Sequence, residues 1–318
     1  MNYPLGITLK VISALLFTVM MTLIKTLNSA IPTGEVIFAR SFFAILPILG
    51  YICWRIWRER SGVRLLPGIR AALHTDWPFR HVRRGVVGCV AMGSSFFALS
   101  LLPLSEAITI GYAAPLVTVL LAPLMLGEKV GIYRTTAVIA GFVGVLLVLS
   151  PHLFSSTADR GNGALLGAFV ALLGACCTAL AMIQIRAMTK SESTMAITFY
   201  FAISSTMLGL LSLPFGWVLP EPLTIAKLVI IGIIGGVAQI FMTGSYRHAP
   251  TSLIAPFDYT SLMWAVALGY LVFGEVPAPV TLAGAAVIVA SGLYVIYRER
   301  KLGLERDKQR KAGAIPLA

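Results

Sequence analysis

Residues 246–275 read YRHAPTSLIAPFDYTSLMWAVALGYLVFGE, and how this stretch is read decides the fold of the whole chain. A short basic turn, Arg247-His248, precedes Pro250. An apolar run of about twenty residues follows, long enough to cross a bilayer as a helix. Pro256, Asp258, Tyr259 and Trp264 lie inside it, and Gly274-Glu275 closes it. A carboxylate in hydrocarbon costs about 2.5–3.5 kcal/mol or more, so Asp258 is expected to face protein or water rather than lipid. The same pattern occurs earlier, where Ser105-Glu106-Ala107 opens an apolar run that carries Tyr112 and ends at Gly127-Glu128. Ser252, Tyr259 and Glu275 each follow their counterparts Ser105, Tyr112 and Glu128 by 147 residues. Three equal offsets point to an internal duplication.

Composition sets the solvent. Of the 318 residues, 58% are hydrophobic and only 12% charged, with a mean hydropathy of +0.87. A water-soluble domain is about half apolar and a quarter charged, so lipid is the medium for most of this chain. The net charge of +12 does not indicate nucleic acid, because the Lys and Arg residues cluster between apolar runs as juxtamembrane charges do. Cys53, Cys89, Cys176 and Cys177 fall in or beside apolar runs without CxxC spacing, and they read as buried thiols rather than metal ligands.

Ten apolar runs can be delimited: 6–25, 34–54, 85–103, 106–126, 133–150, 163–185, 195–217, 226–245, 251–273 and 279–297. Residues 55–84 read as a basic, partly amphipathic loop against lipid headgroups. With the N-terminus inside, the cytoplasmic side takes the basic loops and tail, and the outer side only Lys25, Arg160 and Lys227. Both termini are then cytoplasmic. Each half holds five spans, an odd number, so the second half is inserted upside down. The expected fold is all-α integral membrane, with ten transmembrane helices as two inverted five-helix repeats. The repeats cover 1–150 and 151–300, and 301–318 form a basic cytoplasmic tail. Inverted repeats place a shared site near the bilayer midplane, where two conformations open it alternately to either side.

The chain resembles the EamA-type branch of the drug/metabolite transporter superfamily. The likeness rests on Leu126-Gly127-Glu128 and Phe273-Gly274-Glu275, on the glycines that follow (Gly141, Gly144, Gly284, Gly292), and on Ala290-Ser291-Gly292-Leu293-Tyr294. It implies transport of a small organic solute across the bacterial inner membrane by a multi-pass protein without a cofactor. Within the branch the sequence looks most like members associated with riboflavin uptake.

The residues read as substrate contacts are Phe96, Tyr112, Gln239, Asp258, Tyr259 and Trp264. The aromatic members, with Phe97, would stack a flat heterocycle, and Gln239 would offer an amide. Asp258, Arg40 and Glu35 are the candidates for charge or coupling, with Arg40 read as the only basic residue well inside a span. Glu106 stands near a helix start, where a carboxylate also suits the helix dipole. Small residues at every fourth position, Gly163 to Ala179, and the pair Gly232 and Gly236, read as close-packing ridges.

Riboflavin uptake leads the functional readings, and an amino-acid or S-adenosylmethionine-like solute, calling on Asp258 and Arg40, is the alternative. An integral-membrane enzyme is a remote third. His74, His81, His152 and His248 read as loop or interface residues and form no catalytic constellation. No Walker A motif is present to use ATP directly, and scattered polar residues do not make a channel lining. The expected partners are a small solute and membrane lipid, not nucleic acid, and a homodimer is an assembly that such a bundle permits.

Overall fold

The computed structural model describes residues 3–27, 30–58, 65–114, 116–118, 121, 132–154, 162–188, 191–248, 255–294 and 297. Eleven α-helices are delimited among them. They are α1 (Tyr3–Thr26), α2 (Thr33–Arg58), α3 (Leu65–Ala72), α4 (Pro78–Leu101), α5 (Leu104–Gly111), α6 (Ile132–Phe154), α7 (Asn162–Met188), α8 (Thr194–Leu210), α9 (Pro222–His248), α10 (Thr260–Phe273) and α11 (Pro279–Tyr294). The described residues contain no strand. Five helices are long and apolar enough to cross a membrane, within α1, α2, α4, α7 and α9, and shorter apolar helices accompany them. The loop expected over 55–84 is partly helical instead. It carries α3, and α4 starts at Pro78 rather than at 85, because a proline in the first helical turn gives up no hydrogen bond.

The helices turn apolar side chains outward as well as inward. Ile139, Val143 and Leu146 on α6, and Leu166, Phe169 and Leu173 on α7, are all exposed at helical spacing. Such stripes are unfavourable against water and suited to lipid. Trp54 and Trp77 lie at the α2 and α4 ends with Arg58 and Arg80 over their rings at 5.2 and 4.2 Å, an interfacial pattern.

Small residues let the helices approach. A Cβ at Gly236 would stand 2.9 Å from the Ala44 carbonyl, and one at Gly232 would stand 3.1 Å from that of Ala39, so α9 lies directly on α2. Gly144 and Gly284 join α6 to α11 in the same way, since a Cβ at either would press on the other's carbonyl at 2.8 and 2.7 Å. Ala171, Ala175 and Ala179 are buried along α7, as the ridge reading expects.

The Gly-Glu motif closing α10 has a backbone cause. Gly274 sits at φ 67, the left-handed region where a Cβ is disfavoured. Its N–H donates to the Tyr270 carbonyl at 3.0 Å, and that of Glu275 to Gly269 at 3.1 Å. This reversal ends the helix and turns the Glu275 side chain back toward α1 and α5. The matching Gly127-Glu128 lies outside the described residues, as does the tail 301–318.

Candidate functional site

A cavity of about 170 Å³ lies among α1, α2, α4, α7, α8 and α9. Its wall is mostly soft and apolar: Phe17, Phe96 and Phe201, with Met20, Met21, Met92, Met182 and Met242. Unbranched thioethers adapt to irregular solutes. The polar lining is Ser95, Thr178 and Gln239, and the charged lining is Arg40 and Arg84. Both arginines are buried, at 5% and 7% exposure. Their guanidinium carbons lie 5.8 and 4.3 Å from the centre of the same Phe201 ring, one charge from α2 and one from α4. Nε of Arg40, and Nε and Nη1 of Arg84, have no hydrogen-bond partner among the described residues. No described carboxylate comes within ion-pair distance of either. A recess of about 640 Å³ between the start of α4 and the end of α7 is larger, but it opens beside exposed Trp77 and Phe79 and encloses no buried charge.

Charges at one end of the bundle are treated differently. Lys25 at the end of α1 pairs with Glu275 at 2.5 Å and donates to the Leu102 carbonyl at 2.7 Å. The other Glu275 oxygen accepts the Leu104 N–H at 2.9 Å. Pro103, between those two residues, has no N–H, so a carboxylate and an ammonium together satisfy the break between α4 and α5. Glu35 accepts the Val218 N–H at 3.2 Å, bracing the segment before α9. Thr281 donates to Glu106 at 3.4 Å.

The residues expected to bind substrate fall into three places. Phe96, Gln239 and Arg40 line the cavity together. Tyr112, Asp258 and Tyr259 form a second cluster. Tyr112 and Tyr259, 147 residues apart in the sequence, meet edge to face at 5.0 Å. The Tyr112 hydroxyl lies 2.5 Å from Ser261 Oγ, which donates to the Asp258 carbonyl at 2.7 Å. Asp258 is not mid-helix: it sits in the 3₁₀ turn Ala255–Tyr259 that leads into α10. Trp264 stands apart, half-buried, with Nε1 unpartnered. Phe97 is 39% exposed and turns away from the cavity.

One family model, that of the EamA-like transporter family, matches residues 4–150 and again 165–298. The chain belongs to the EamA-like transporter family. Among curated relatives, the S-adenosylmethionine uptake transporter of Rickettsia prowazekii (strain Madrid E) is 28% identical over 87% of each chain. The riboflavin transporter of Rhizobium johnstonii is 30% identical, covering 87% of this chain and 85% of its own. A pseudopaline exporter of Pseudomonas aeruginosa (strain UCBPP-PA14) is 28% identical over 90% and 94%. A solved crystal structure with 19% sequence identity superposes with a TM-score of 0.61, covering 93% of this chain and 98% of its own, and supports the fold. These findings make the chain a membrane transporter of small metabolites and not an enzyme.

Within this EamA-type bundle, two buried cations escaped the sequence reading, which took Arg40 as the only one. Lys10 lies in α1, 1% exposed, with Nζ 2.8 Å from the Asp258 carboxylate. The apolar run beginning at residue 6 was read straight across it. Arg84 was assigned to the basic loop because the third run was begun at 85, whereas α4 already extends from Pro78. The same shift buries His81, read as a loop or interface residue, at 2% exposure and 3.5 Å from Glu192. A helix start read from Pro78 is the signal that would have placed both inside.

Proposed function

We propose that the chain is a secondary carrier that moves a small organic metabolite across the bacterial inner membrane by alternating access. It would be built as two inverted five-helix repeats with both termini in the cytoplasm. The observation that carries this reading is the cavity with polar and charged lining inside a bundle whose outer stripes suit lipid. In this frame the Lys25–Glu275 pair closes the extracellular end, and the metabolite enters between α1, α4, α7 and α9 from the other side.

Riboflavin uptake is one substrate reading, supported by the relative at 30% identity. The aromatic contacts for a flat ring come from Phe17, Phe96 and Phe201 rather than from Tyr112, Tyr259 and Trp264. An S-adenosylmethionine-like solute is the second reading. Several relatives carry that name, and its carboxylate, a group that riboflavin lacks, is an acceptor for the buried arginines. Uptake of labelled riboflavin and S-adenosylmethionine into membrane vesicles, with and without a proton gradient, separates the two. Vesicles that accumulate neither, nor any member of a wider metabolite panel in either direction, sink the carrier reading. The orientation has its own check. A Val276→Cys variant, beside Glu275 and 76% exposed in the wild type, is expected to react with an impermeant thiol reagent outside intact cells. Labelling only after the membrane is broken overturns the inverted arrangement.

A further inference from the structure

We propose that Arg40 and Arg84 together form a seat for an oxyanion, so that the solute taken into the central cavity carries a carboxylate or a phosphate. This rests on the carrier reading for its biological use but not for its chemistry. A guanidinium in a membrane interior is expensive, about 2.5–3.5 kcal/mol on the gentlest scale. A folded bundle tolerates one where a carboxylate, backbone carbonyls or water answers it. Here two stand over one ring, so the charges are no further apart than their two ring distances added together. Like charges brought that close without an answering group repel. Phe201 offers a π-face to both, which offsets part of the penalty. The unpartnered Nε and Nη1 atoms retain donors for a planar acceptor.

The surrounding sequence keeps this space open. A Cβ at Gly88 would overlap Nη1 of Arg84 and stand 2.7 Å from the Phe201 ring, and one at Gly235 would stand 3.1 Å from Nε of Arg40. Each glycine therefore faces a guanidinium that fills the room a side chain would take. Both arginines border the cavity, so an anion inside it reaches them without unfolding a helix. The two described Lys–carboxylate pairs, one buried and one part-buried, show that the chain answers ammonium groups in the bundle with its own acids. Arg40 and Arg84 have no such acid among the described residues, which leaves them for an external one. The rest of the lining, thioethers and phenyl rings with Gln239, suits the apolar or heterocyclic body of a solute whose oxyanion is held at the arginines.

The test uses the full chain purified in detergent and follows thermal unfolding with rising sodium acetate, methyl phosphate or chloride at matched ionic strength. Acetate or methyl phosphate is expected to stabilise the wild type saturably, at least tenfold more tightly than chloride. Whichever of the two binds better identifies the carboxylate or the phosphate as the natural group. Arg84→Gln and Arg40→Gln are expected to lose this preference at least tenfold. Gly88→Ala, which keeps both charges but displaces the Arg84 fork, is expected to weaken it, and Arg84→Lys to restore only part. An oxyanion effect no greater than that of chloride in the wild type, or one unchanged in all four variants, overturns the seat. Counterflow in proteoliposomes separates the two levels. Anion binding without movement of any solute keeps the seat and sinks the carrier. Riboflavin counterflow at the wild-type rate in Arg40→Gln/Arg84→Gln keeps the carrier and sinks the seat.

Discussion

The end of the bundle that holds Lys25 and Glu275 and the cavity that holds Arg40 and Arg84 handle charge in opposite ways. At the end, Glu275 takes Lys25 and the Leu104 N–H, and Glu35 takes the Val218 N–H, so both carboxylates hold chain turns in place. Arg40 and Arg84 border the cavity with donors unspent. The lesson is that an ionisable residue in a lipid-embedded helix is understood from what answers it, not from its depth alone. Lys10 is as deeply buried as either arginine, yet it has Asp258 at 2.8 Å and belongs with the structural pairs.

The largest expected effect tests that assignment. Lys10 is 1% exposed while its partner Asp258 is 44% exposed, so the two halves of the pair are not equivalent. Asp258→Asn leaves an ammonium inside the bundle facing an amide and is expected to cost about 2–4 kcal/mol, less than a fully buried pair because solvent reaches Asp258. Lys10→Met removes the buried charge and leaves an acid that water can reach, so its loss should be smaller. The double variant is expected to recover most of what Asp258→Asn loses, measured by thermal unfolding in detergent as a double-mutant cycle. Equal losses for the two single variants, with additive behaviour in the double, would move Asp258 out of the structural class and back toward a role in transport.

Glu275→Gln comes next. It retains an acceptor for Leu104 but removes the charge facing Lys25. The side chains of this pair are 15% and 22% exposed, so solvent screens part of the interaction. The expected loss is about 1–3 kcal/mol, with the exchanged pair Lys25→Glu/Glu275→Lys recovering part of it. In the alternating-access reading the same substitution loosens the extracellular closure. A thiol reagent should then reach Gly274-to-Pro279 positions and the outer cavity lining faster than in the wild type. Unchanged accessibility would confine Glu275 to the turn.

These contrasts show which physics the sequence displays openly. The apolar runs gave the helical membrane class because length and hydrophobicity alone specify a span. Two residues related by the 147-residue offset, Tyr112 and Tyr259, meet edge to face. Gly274-Glu275 was legible as a helix end because a left-handed residue there favours glycine. The cavity was not legible. Its lining draws on six helices, and although α4 and α7 contribute residues at helical spacing, nothing within one helix announces which of its faces will meet the others. Arg84 was lost to a boundary error of about two turns, caused by reading the arginine cluster as a loop when Pro78 starts a helix. Aromatic residues were over-read. Tyr112 and Tyr259 pack in the core between halves, while Phe17 and Phe201, which do line the cavity, carry no signal beyond hydrophobicity.

The smallest expected effect concerns Trp264, the residue on which a flavin platform was expected to rest. It does not border the central cavity, and its Nε1 is buried without a partner among the described residues. Burying an N–H without an acceptor costs about 1–3 kcal/mol, whereas the indole body contributes through packing. Trp264→Phe removes the unanswered donor together with part of that body, so the two changes oppose each other. Stability should stay within about 1 kcal/mol of wild type, because removing an unpaired polar group offsets the lost contact. Transport of either candidate solute should be unaltered within a factor of two. Phe96→Leu, which changes the cavity wall itself, should instead raise the solute concentration needed for half-maximal uptake. If Trp264→Phe depresses uptake tenfold while Phe96→Leu leaves it alone, the solute path runs beside α10 rather than through the α2–α4–α8 cavity. The division between answered and unanswered charge would then have to be redrawn around Asp258.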